Sequence, residues 1–296
     1  MTEPASDRII DLINWGRALF MERKIPHARY TMEVLLEHVL GAKRADLYCD
    51  YGRRLTPEEM RRLKSYVAGR LARNPLWRLV GEVEFYGLAI RVNDRVLIPR
   101  PETEMLVERA IEELSRLPRE GLRYAADIGT GSGNIAIAIA RTVPGVFVYA
   151  TDLSPDALAA AESNARLHGV DGAICLLCGD LLAPFAPGGA GRLDVIVSNP
   201  PYVSDAEWAD LPPEVRDREP RLALHGGTDG LEIIRRLVAG APGVLSPGGA
   251  LIIEVGRGQA SPVREMMARD GAFGRVEVHK DYSGIERVVV GAANGR

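Results

Sequence analysis

Short apolar runs alternate with amphipathic stretches along the chain from about residue 121 onward. The runs have the length of strands, whereas the stretches repeat apolar residues at helical spacing. The expected strands are 123–128, 146–151, 174–178, 193–198 and 249–255, and the expected helices are 133–142, 155–168, 229–240 and 258–270. This alternation is typical of a parallel sheet with helices on both faces, because parallel neighbours need a crossover connection.

The last two apolar runs, 274–279 and 286–291, depart from this alternation. Only a short segment around Ser283 and Gly284 separates them, which is too little chain for a parallel crossover. We therefore expect them to pair antiparallel. The predicted fold class is α/β, with a mostly parallel seven-stranded sheet whose C-terminal strands are antiparallel.

The first 75 residues have a different pattern. Apolar residues fall on one face of each of three predicted helices, the third of which opens on the capping box Thr56-Pro57-Glu58-Glu59 and stops at Asn74-Pro75. Two short β-like runs around Tyr86-Gly87 then predict a hairpin. We expect a helical bundle at 1–75, a hairpin and linker at 76–104, a larger domain at 105–296, and a surface loop at 187–191.

Composition limits the class of protein. The apolar fraction is 46% and the charged fraction 26%, as in ordinary globular enzymes. We find no apolar run of membrane-spanning length and no secretion signal, and three cysteines are too few for a disulfide framework, so we expect a cytoplasmic protein. The net charge of -3 argues against unaided nucleic-acid binding. Residues 1–75 nevertheless carry 14 Lys+Arg against 10 Asp+Glu. This basic surface is equally consistent with an acidic or RNA-bound partner and with a solvated helical face.

A glycine-rich segment lies where the first strand of the larger domain meets a helix. We call it the glycine loop; its residues are Gly129, Thr130, Gly131, Ser132 and Gly133. Ligands of open parallel sheets bind at the carboxyl ends of the strands, so this is a predicted cofactor site. Asn134 occupies the last glycine position of a dinucleotide-binding motif, which argues against that class. Asp127, two residues before the loop, suits a cation rather than a pyrophosphate. S-adenosylmethionine, with its sulfonium and amino groups, fits these features.

Two further carboxylates follow neighbouring strands. Asp152 ends the second strand, where it could accept hydrogen bonds from ribose hydroxyls. Enzymes that use nicotinamide dinucleotides share that feature, so Asp152 alone is weak evidence. Asp180 lies just past the third strand, within expected reach of an adenine amino group. Together the two acids predict a nucleoside site.

The fourth strand ends in the most distinctive motif of the chain. We call it the tetrad; its residues are Asn199, Pro200, Pro201 and Tyr202. The two prolines stiffen the loop. The Asn199 amide oxygen and the Pro200 carbonyl could each accept one N–H of a planar amino group, whose delocalised lone pair makes it a poor nucleophile. Tyr202 offers a flat face for stacking. The tetrad thus predicts methyl transfer to a planar nitrogen.

The sequence predicts no metal site and no Ser/His/Asp arrangement. Cys175 and Cys178 have the spacing of a metal clip, but they lie in a predicted strand. Positions three apart on a strand point to opposite faces. We interpret both as core or edge packing.

The glycine loop, Asp152 and the tetrad together resemble class I methyltransferases of amino groups, which act on DNA adenine, RNA guanine or protein glutamine. Motifs elsewhere narrow this resemblance to the peptide chain release factor N5-glutamine methyltransferases, the PrmC/HemK family. These motifs are Phe85-Tyr86-Gly87, Leu97 to Glu104, Glu219 to Leu224 with Gly226-Gly227, and Asp281 to Gly284 with Arg287. The resemblance covers nearly the whole chain and implies a class I, Rossmann-like fold with a small N-terminal helical bundle.

The resemblance also implies a function. The substrate would be the glutamine of the Gly-Gly-Gln motif in class 1 release factors, which the tetrad would hold and the N-terminal bundle would help to dock. The glycine loop, Asp152, Asp180, Leu181 and Asn199 would contact S-adenosylmethionine, although Leu181 stands where relatives often carry an aromatic residue. We expect a monomer that needs no nucleic acid or membrane. Methylation of a ribosomal-protein glutamine stays open, as does the less favoured methylation of adenine or guanine in nucleic acid.

Overall fold

The chain divides into two compact units. The computed structural model describes residues 3–117, 121–185, 193–269 and 271–294, so the surface loop predicted at 187–191 lies outside the described residues. The first unit comprises Met1–Gly81 and Pro213–Arg218, and the second comprises Glu82–Pro212 and Glu219–Arg296. In the part of the chain that the structure describes, no helix has the length and apolar character needed to cross a membrane.

The first unit is helical. Its helices are α1 (Ile9–Glu22), α2 (Ala28–Leu40), α3 (Arg44–Cys49), α4 (Pro57–Leu71) and α5 (Leu76–Val80), with a further short helix at Pro213–Arg216. The apolar faces of the longer helices meet in one core, which includes Leu12, Phe20, Met32, Leu36 and Leu63. The capping box at the start of α4 forms, since the Glu59 amide donates to Thr56 Oγ1 at 3.2 Å.

Three short helices of this unit were not predicted: α3, α5 and the helix at Pro213–Arg216. Helix α3 is six residues long and α5 is five, so neither is long enough to show helical periodicity. The predicted end of α4 was also wrong, because the helix stops at Leu71 rather than at Asn74. Arg73 there adopts a left-handed conformation with φ of 66°, which ends the helix before the proline is reached.

The second unit begins with a hairpin. Strands β1 (Glu82–Phe85) and β2 (Leu88–Arg91) pair antiparallel. Tyr86 and Gly87 connect them, with φ angles of 52° and 71°. Positive φ at both central residues is the type I′ geometry, whose twist matches that of paired strands.

A seven-stranded sheet follows and confirms the predicted fold class. Its strands are β3 (Arg123–Ile128), β4 (Val146–Asp152), β5 (Ile174–Cys178), β6 (Leu193–Ser198), β7 (Leu245–Glu254), β8 (Phe273–Lys280) and β9 (Glu286–Ala293). Their order is β5-β4-β3-β6-β7-β9-β8, and only the pairs of β9 with β7 and β8 are antiparallel. Strand β7 begins four residues earlier than predicted. Its pairing with β6 shifts register between Leu193 and Val195, so the Pro247-Gly248 pair sits in an irregular part of the strand.

The connections place a crevice at one edge of this sheet. Helix α6 (Glu104–Arg116) leads into β3. The crossover helices between strands of the sheet are α7 (Asn134–Thr142), α8 (Pro155–Leu167), α9 (Glu232–Gly240) and α10 (Ala260–Arg269). From β3 the chain moves outward to β4 and β5, then returns to β6 on the other side of β3. This reversal of strand order opens a crevice at the carboxyl ends of β3 and β6, where such folds bind ligands.

Candidate active site

The glycine loop leaves open space above its backbone. Gly129, Gly131 and Gly133 all have left-handed φ angles, of 75°, 55° and 81°. A Cβ atom on Gly129 or Gly131 would meet nothing within 4 Å, whereas one on Gly133 would lie 3.1 Å from the Ala161 Cα. The first two glycines therefore admit a ligand, and the third lets the loop pack against α8.

Asp127 organises this loop from below. It is fully buried, and its Oδ2 accepts hydrogen bonds from Thr130 Oγ1 at 2.6 Å and from the Ala136 amide at 3.1 Å. Within the described residues, its Oδ1 has no hydrogen-bond partner. Burial raises the pKa of Asp127 to about 7 against the effect of these two bonds. A nearby cation would therefore stabilise the ionised form of Asp127.

Asp152 is tied to the same loop. Its Oδ2 accepts from the Gly131 amide and its Oδ1 from the Ser154 amide, both at 2.9 Å. Each carboxylate oxygen has two acceptor sites, so both retain capacity for a ligand hydroxyl. The side chain is only partly buried and faces a cavity.

That cavity is the larger of the two described at the carboxyl ends of the strands, and its 880 Å³ of empty space includes space open to solvent. Six predicted cofactor residues line it: Gly129, Gly131, Asp152, Asp180, Leu181 and Asn199. Thr130, Ser132 and Gly133 are not among the lining residues. The first two are buried, with side chains bonded to Asp127 and Asn134, and support the loop instead.

Asp180 and Leu181 are adjacent lining residues of the larger cavity. Asp180 is half exposed, and its Oδ2 accepts from Arg236 Nη2 at 2.6 Å. Its Oδ1 and the second acceptor site of Oδ2 can still accept hydrogen bonds from a ligand. Leu181 packs on the sheet core and has a φ of 51°, a conformation that is rare for leucine and often found at binding sites.

The tetrad lies between the larger cavity and a smaller one. Asn199 lines both cavities, whereas Pro200 and Tyr202 line the smaller one beside Arg100. The Asn199 Nδ2 donates to Thr103 Oγ1 at 3.1 Å, and the Tyr202 hydroxyl donates to Glu254 Oε1 at 3.5 Å. Burial raises the pKa of Tyr202, so its phenol stays protonated at neutral pH.

Neighbouring segments hold the tetrad in place. The Val203 amide donates to the Leu224 carbonyl at 2.9 Å, and Gln259 Nε2 donates to the Tyr202 carbonyl at 3.0 Å. A Cβ atom on Gly226 would lie 2.6 Å from the Pro201 carbonyl oxygen. The loop after β6 is thus in close contact with residues 224–230.

Sequence reasoning missed three polar residues of this site. Thr103 and Glu254 are buried beneath the tetrad and bonded to each other at 2.7 Å. Asn164, within α8, donates to the Ser132 and Arg91 carbonyls and so ties the glycine loop to β2. A carboxylate directly after the apolar run of β7, and an asparagine on the inner face of a helix, were the available signals.

No group of His, Cys, Asp or Glu among residues 3–117, 121–185, 193–269 and 271–294 could hold a metal ion. Cys175 and Cys178 both lie on β5, at the edge of the sheet, where Cys178 is exposed.

Comparison with known proteins assigns the class and then the family. A model of the methyltransferase small domain matches residues 110–211, and a model of the PrmC N-terminal domain matches residues 11–81. Among solved structures, a methyltransferase from Pyrococcus furiosus aligns with a TM-score of 0.52 and 21% identity over 77% of this chain and 99% of its own. The human methyltransferase 10 domain containing protein aligns with a TM-score of 0.53 and 18% identity. This alignment covers 77% of this chain and 96% of the human protein's chain. The fold and these matches define a methyltransferase.

The relatives identified by sequence define the family more specifically than the solved structures do. The release factor glutamine methyltransferase of Geobacter sulfurreducens is 43% identical over 98% of this chain and 99% of its own length. The release factor glutamine methyltransferase of Chlorobaculum tepidum is 42% identical over 94% of this chain and 95% of its own length. The chain belongs to the release factor glutamine methyltransferase family.

Proposed function

We propose that this protein transfers a methyl group from S-adenosylmethionine to the side-chain amide nitrogen of the glutamine in the Gly-Gly-Gln motif of class 1 release factors. The names of its relatives support the substrate. The single observation that carries the chemistry is that Asn199 lines both cavities. One polar residue therefore borders both the space proposed for the cofactor and the space proposed for the glutamine.

The residues of the larger cavity fit S-adenosylmethionine. Gly129 and Gly131 leave space above the loop, and Asp152 retains acceptor capacity for ribose hydroxyls. Asp127 does not line the cavity but is buried beneath the glycine loop, and its Oδ1, which has no partner among the described residues, favours a cationic ligand nearby. When bound, the cofactor supplies an electrophilic methyl group on a positively charged sulfur.

The tetrad's task is to make a weak nucleophile react. The lone pair of an amide nitrogen is delocalised into its carbonyl, and no side chain can remove its proton first. The Asn199 Oδ1 and the Pro200 carbonyl can each accept one N–H of this nitrogen, which orients the lone pair and raises its electron density. Correct alignment of two reactants can lower the activation barrier by roughly 7–11 kcal/mol. Tyr202, protonated and half-buried, packs beside the amide and is not a base.

Labelled S-adenosylmethionine and purified release factor test the substrate. We expect label on the native release factor and none after Gln→Ala in its Gly-Gly-Gln motif. Undiminished label on that variant would contradict the assignment. Parallel reactions with ribosomal proteins and with protein-free RNA and DNA cover the alternatives, because label on either of those alone would change the substrate class.

The Asn199→Ala variant tests the role of the tetrad. Because it removes one of two acceptors for the nucleophile, kcat should fall roughly 100-fold or more. The cofactor Kd, measured by calorimetry, should change far less. Equal activity of the variant and the wild type would refute the proposed chemistry.

A further inference from the structure

A chain of hydrogen bonds lies beneath the tetrad and ends on a buried carboxylate. Asn199 Nδ2 donates to Thr103 Oγ1 at 3.1 Å, and Thr103 Oγ1 donates to Glu254 Oε2 at 2.7 Å. Thr103 is 1% exposed and Glu254 is 2% exposed. The Tyr202 hydroxyl reaches the other oxygen of the same carboxylate at 3.5 Å. Glu254 is thus linked to two members of the tetrad.

The direction of this chain follows from its chemistry. An ionised carboxylate can only accept, and a hydroxyl has a single hydrogen to donate. Once Thr103 donates to Glu254, it can only accept from Asn199. The NH₂ group of Asn199 must then face Thr103, and its carbonyl oxygen must face the opposite way.

We propose that Glu254 and Thr103 are positioning residues for methyl transfer, in which the Glu254 carboxylate orients the Thr103 hydroxyl and thereby holds the Asn199 carbonyl oxygen toward the N–H of the substrate amide. This inference rests on the proposed function. It gives a buried carboxylate, which touches neither cavity, a role at the reacting nitrogen.

Protonation of Glu254 reverses the direction of the hydrogen bonds from Asn199 to Thr103 and from Thr103 to Glu254. A neutral carboxyl group can donate to Thr103, whose hydroxyl then donates to the Asn199 oxygen. The NH₂ group of Asn199 would rotate toward the substrate, where a donor would face the donor of the amide, and the nitrogen would lose one of its two acceptors. Turnover should therefore need the ionised form of Glu254.

The surroundings of Glu254 place this change near neutral pH. Burial raises the pKa of Glu254 to about 7, and Glu102 adds to that effect. Arg287 on β9 and the hydrogen bonds from Thr103 and Tyr202 act in the opposite direction. Because the proposed role requires ionised Glu254, kcat should rise with pH through this region and level off above it.

Variants at Thr103 test the chain at constant pH. Thr103→Val keeps the shape and removes the hydroxyl, so at pH 8 kcat should fall roughly tenfold, the equivalent of one lost hydrogen bond. The cofactor Kd should stay within about twofold of the wild type. Thr103→Ser retains the hydroxyl and should recover most of the activity. Full activity of Thr103→Val, or no recovery in Thr103→Ser, would overturn the proposal.

Variants at Glu254 test the pH dependence. Glu254→Gln cannot ionise and can donate to Thr103, so it should keep a low kcat, like that of the wild type at low pH, from pH 6 to 9. The exposed Glu286→Gln on β9 is the matched control and should keep the wild-type profile. Assays run at saturating S-adenosylmethionine, so that an effect of Asp127, buried beneath the glycine loop, on cofactor affinity does not enter. A flat wild-type profile, or a normal profile in Glu254→Gln, would contradict the inference.

A measurement without substrate separates this inference from the proposed function. Carbon-13 NMR of the Glu254 carboxyl group follows its titration directly. Thr103→Val removes a donor to the ionised form and should raise the pKa of Glu254. An unchanged pKa would refute the chain even where release factor is methylated. A raised pKa with no label on release factor would refute the substrate assignment alone.

Discussion

Asp127 shows how burial and ligand binding conflict at a single residue. Its carboxylate is fully buried, and one oxygen has no partner in the described part of the chain. Its pKa is raised from 3.8 to about 7, so the folded protein binds the proton more tightly than the unfolded chain does. The contribution of Asp127 to the free energy of unfolding is fully present below pH 4. It is lost as the pH rises through 7, and the loss is on the order of 4 kcal/mol.

Asp127→Asn should therefore stabilise the ligand-free protein and weaken cofactor binding. The Tm difference between variant and wild type should grow from pH 4 to 7 and then stay constant, as thermal unfolding across that range would measure. The affinity for S-adenosylmethionine should fall, because the variant has no charge to offer a cation. Asp171→Asn, at an exposed position, controls for the loss of one acid. A Tm difference independent of pH would contradict the assigned titration.

The sequence predicted part of this site because strand ends converge. Asp127, Asp152 and Asn199 each lie at or next to the carboxyl end of a parallel strand, and such ends share one edge of a sheet. Thr103 and Glu254 could not be paired in the same way. They are 151 residues apart, and their contact depends on the register of β7 and on side-chain conformations that no spacing reveals.

Among the elements, the loop after β6 depends on close approach by the segment 224–230. Gly226 donates its amide to the Val203 carbonyl at 2.9 Å, and its Cα faces the backbone of Pro201 and Tyr202. A Cβ atom there would lie 2.6 Å from one backbone atom and 2.8 Å from another. Backbone cannot rotate away as a side chain can, so the loop itself would have to move.

Gly226→Ala should thus displace the tetrad. We expect a loss of about 1–3 kcal/mol in the free energy of unfolding, and a larger proportional fall in kcat than in cofactor affinity. Gly172→Ala is the matched control, because a Cβ atom at Gly172 meets nothing within 4 Å. Denaturant unfolding and initial rates on release factor measure the two effects. If Gly226→Ala and Gly172→Ala have equal stability and equal kcat, the added Cβ atom at Gly226 does not disturb the tetrad.

Element positions were predictable where the hydrophobic pattern was long. Strands β3, β5 and β6 have the predicted bounds, because each is a short, mainly apolar run with glycine or proline residues close to both ends. The first part of β7 was missed, since Pro247-Gly248 is typical of a turn. Helices α3 and α5 were missed because tertiary contacts, rather than periodicity, stabilise such short segments.

On the scale of the whole molecule, each of the two units has its own apolar core. The helical unit buries its own apolar cluster, and all residues that line the two cavities belong to the second unit. Residues 1–75 carry a net positive charge, whereas the rest of the chain is acidic. We propose that the helical unit recognises the release factor, while the second unit binds the cofactor and carries out the transfer.

A core substitution in the helical unit tests this division. Leu36 is fully buried, so Leu36→Ala should cost about 2–5 kcal/mol of stability in that unit. The Kd for S-adenosylmethionine should be unchanged, whereas kcat/KM for release factor should fall, because recognition needs the helical surface intact. Met21→Ala, which removes an exposed side chain from α1, is the control. Thermal unfolding, calorimetry and methylation rates measure the three quantities. A parallel loss of cofactor affinity would show that the two cores are energetically coupled, and an unchanged kcat/KM would remove the helical unit from substrate recognition.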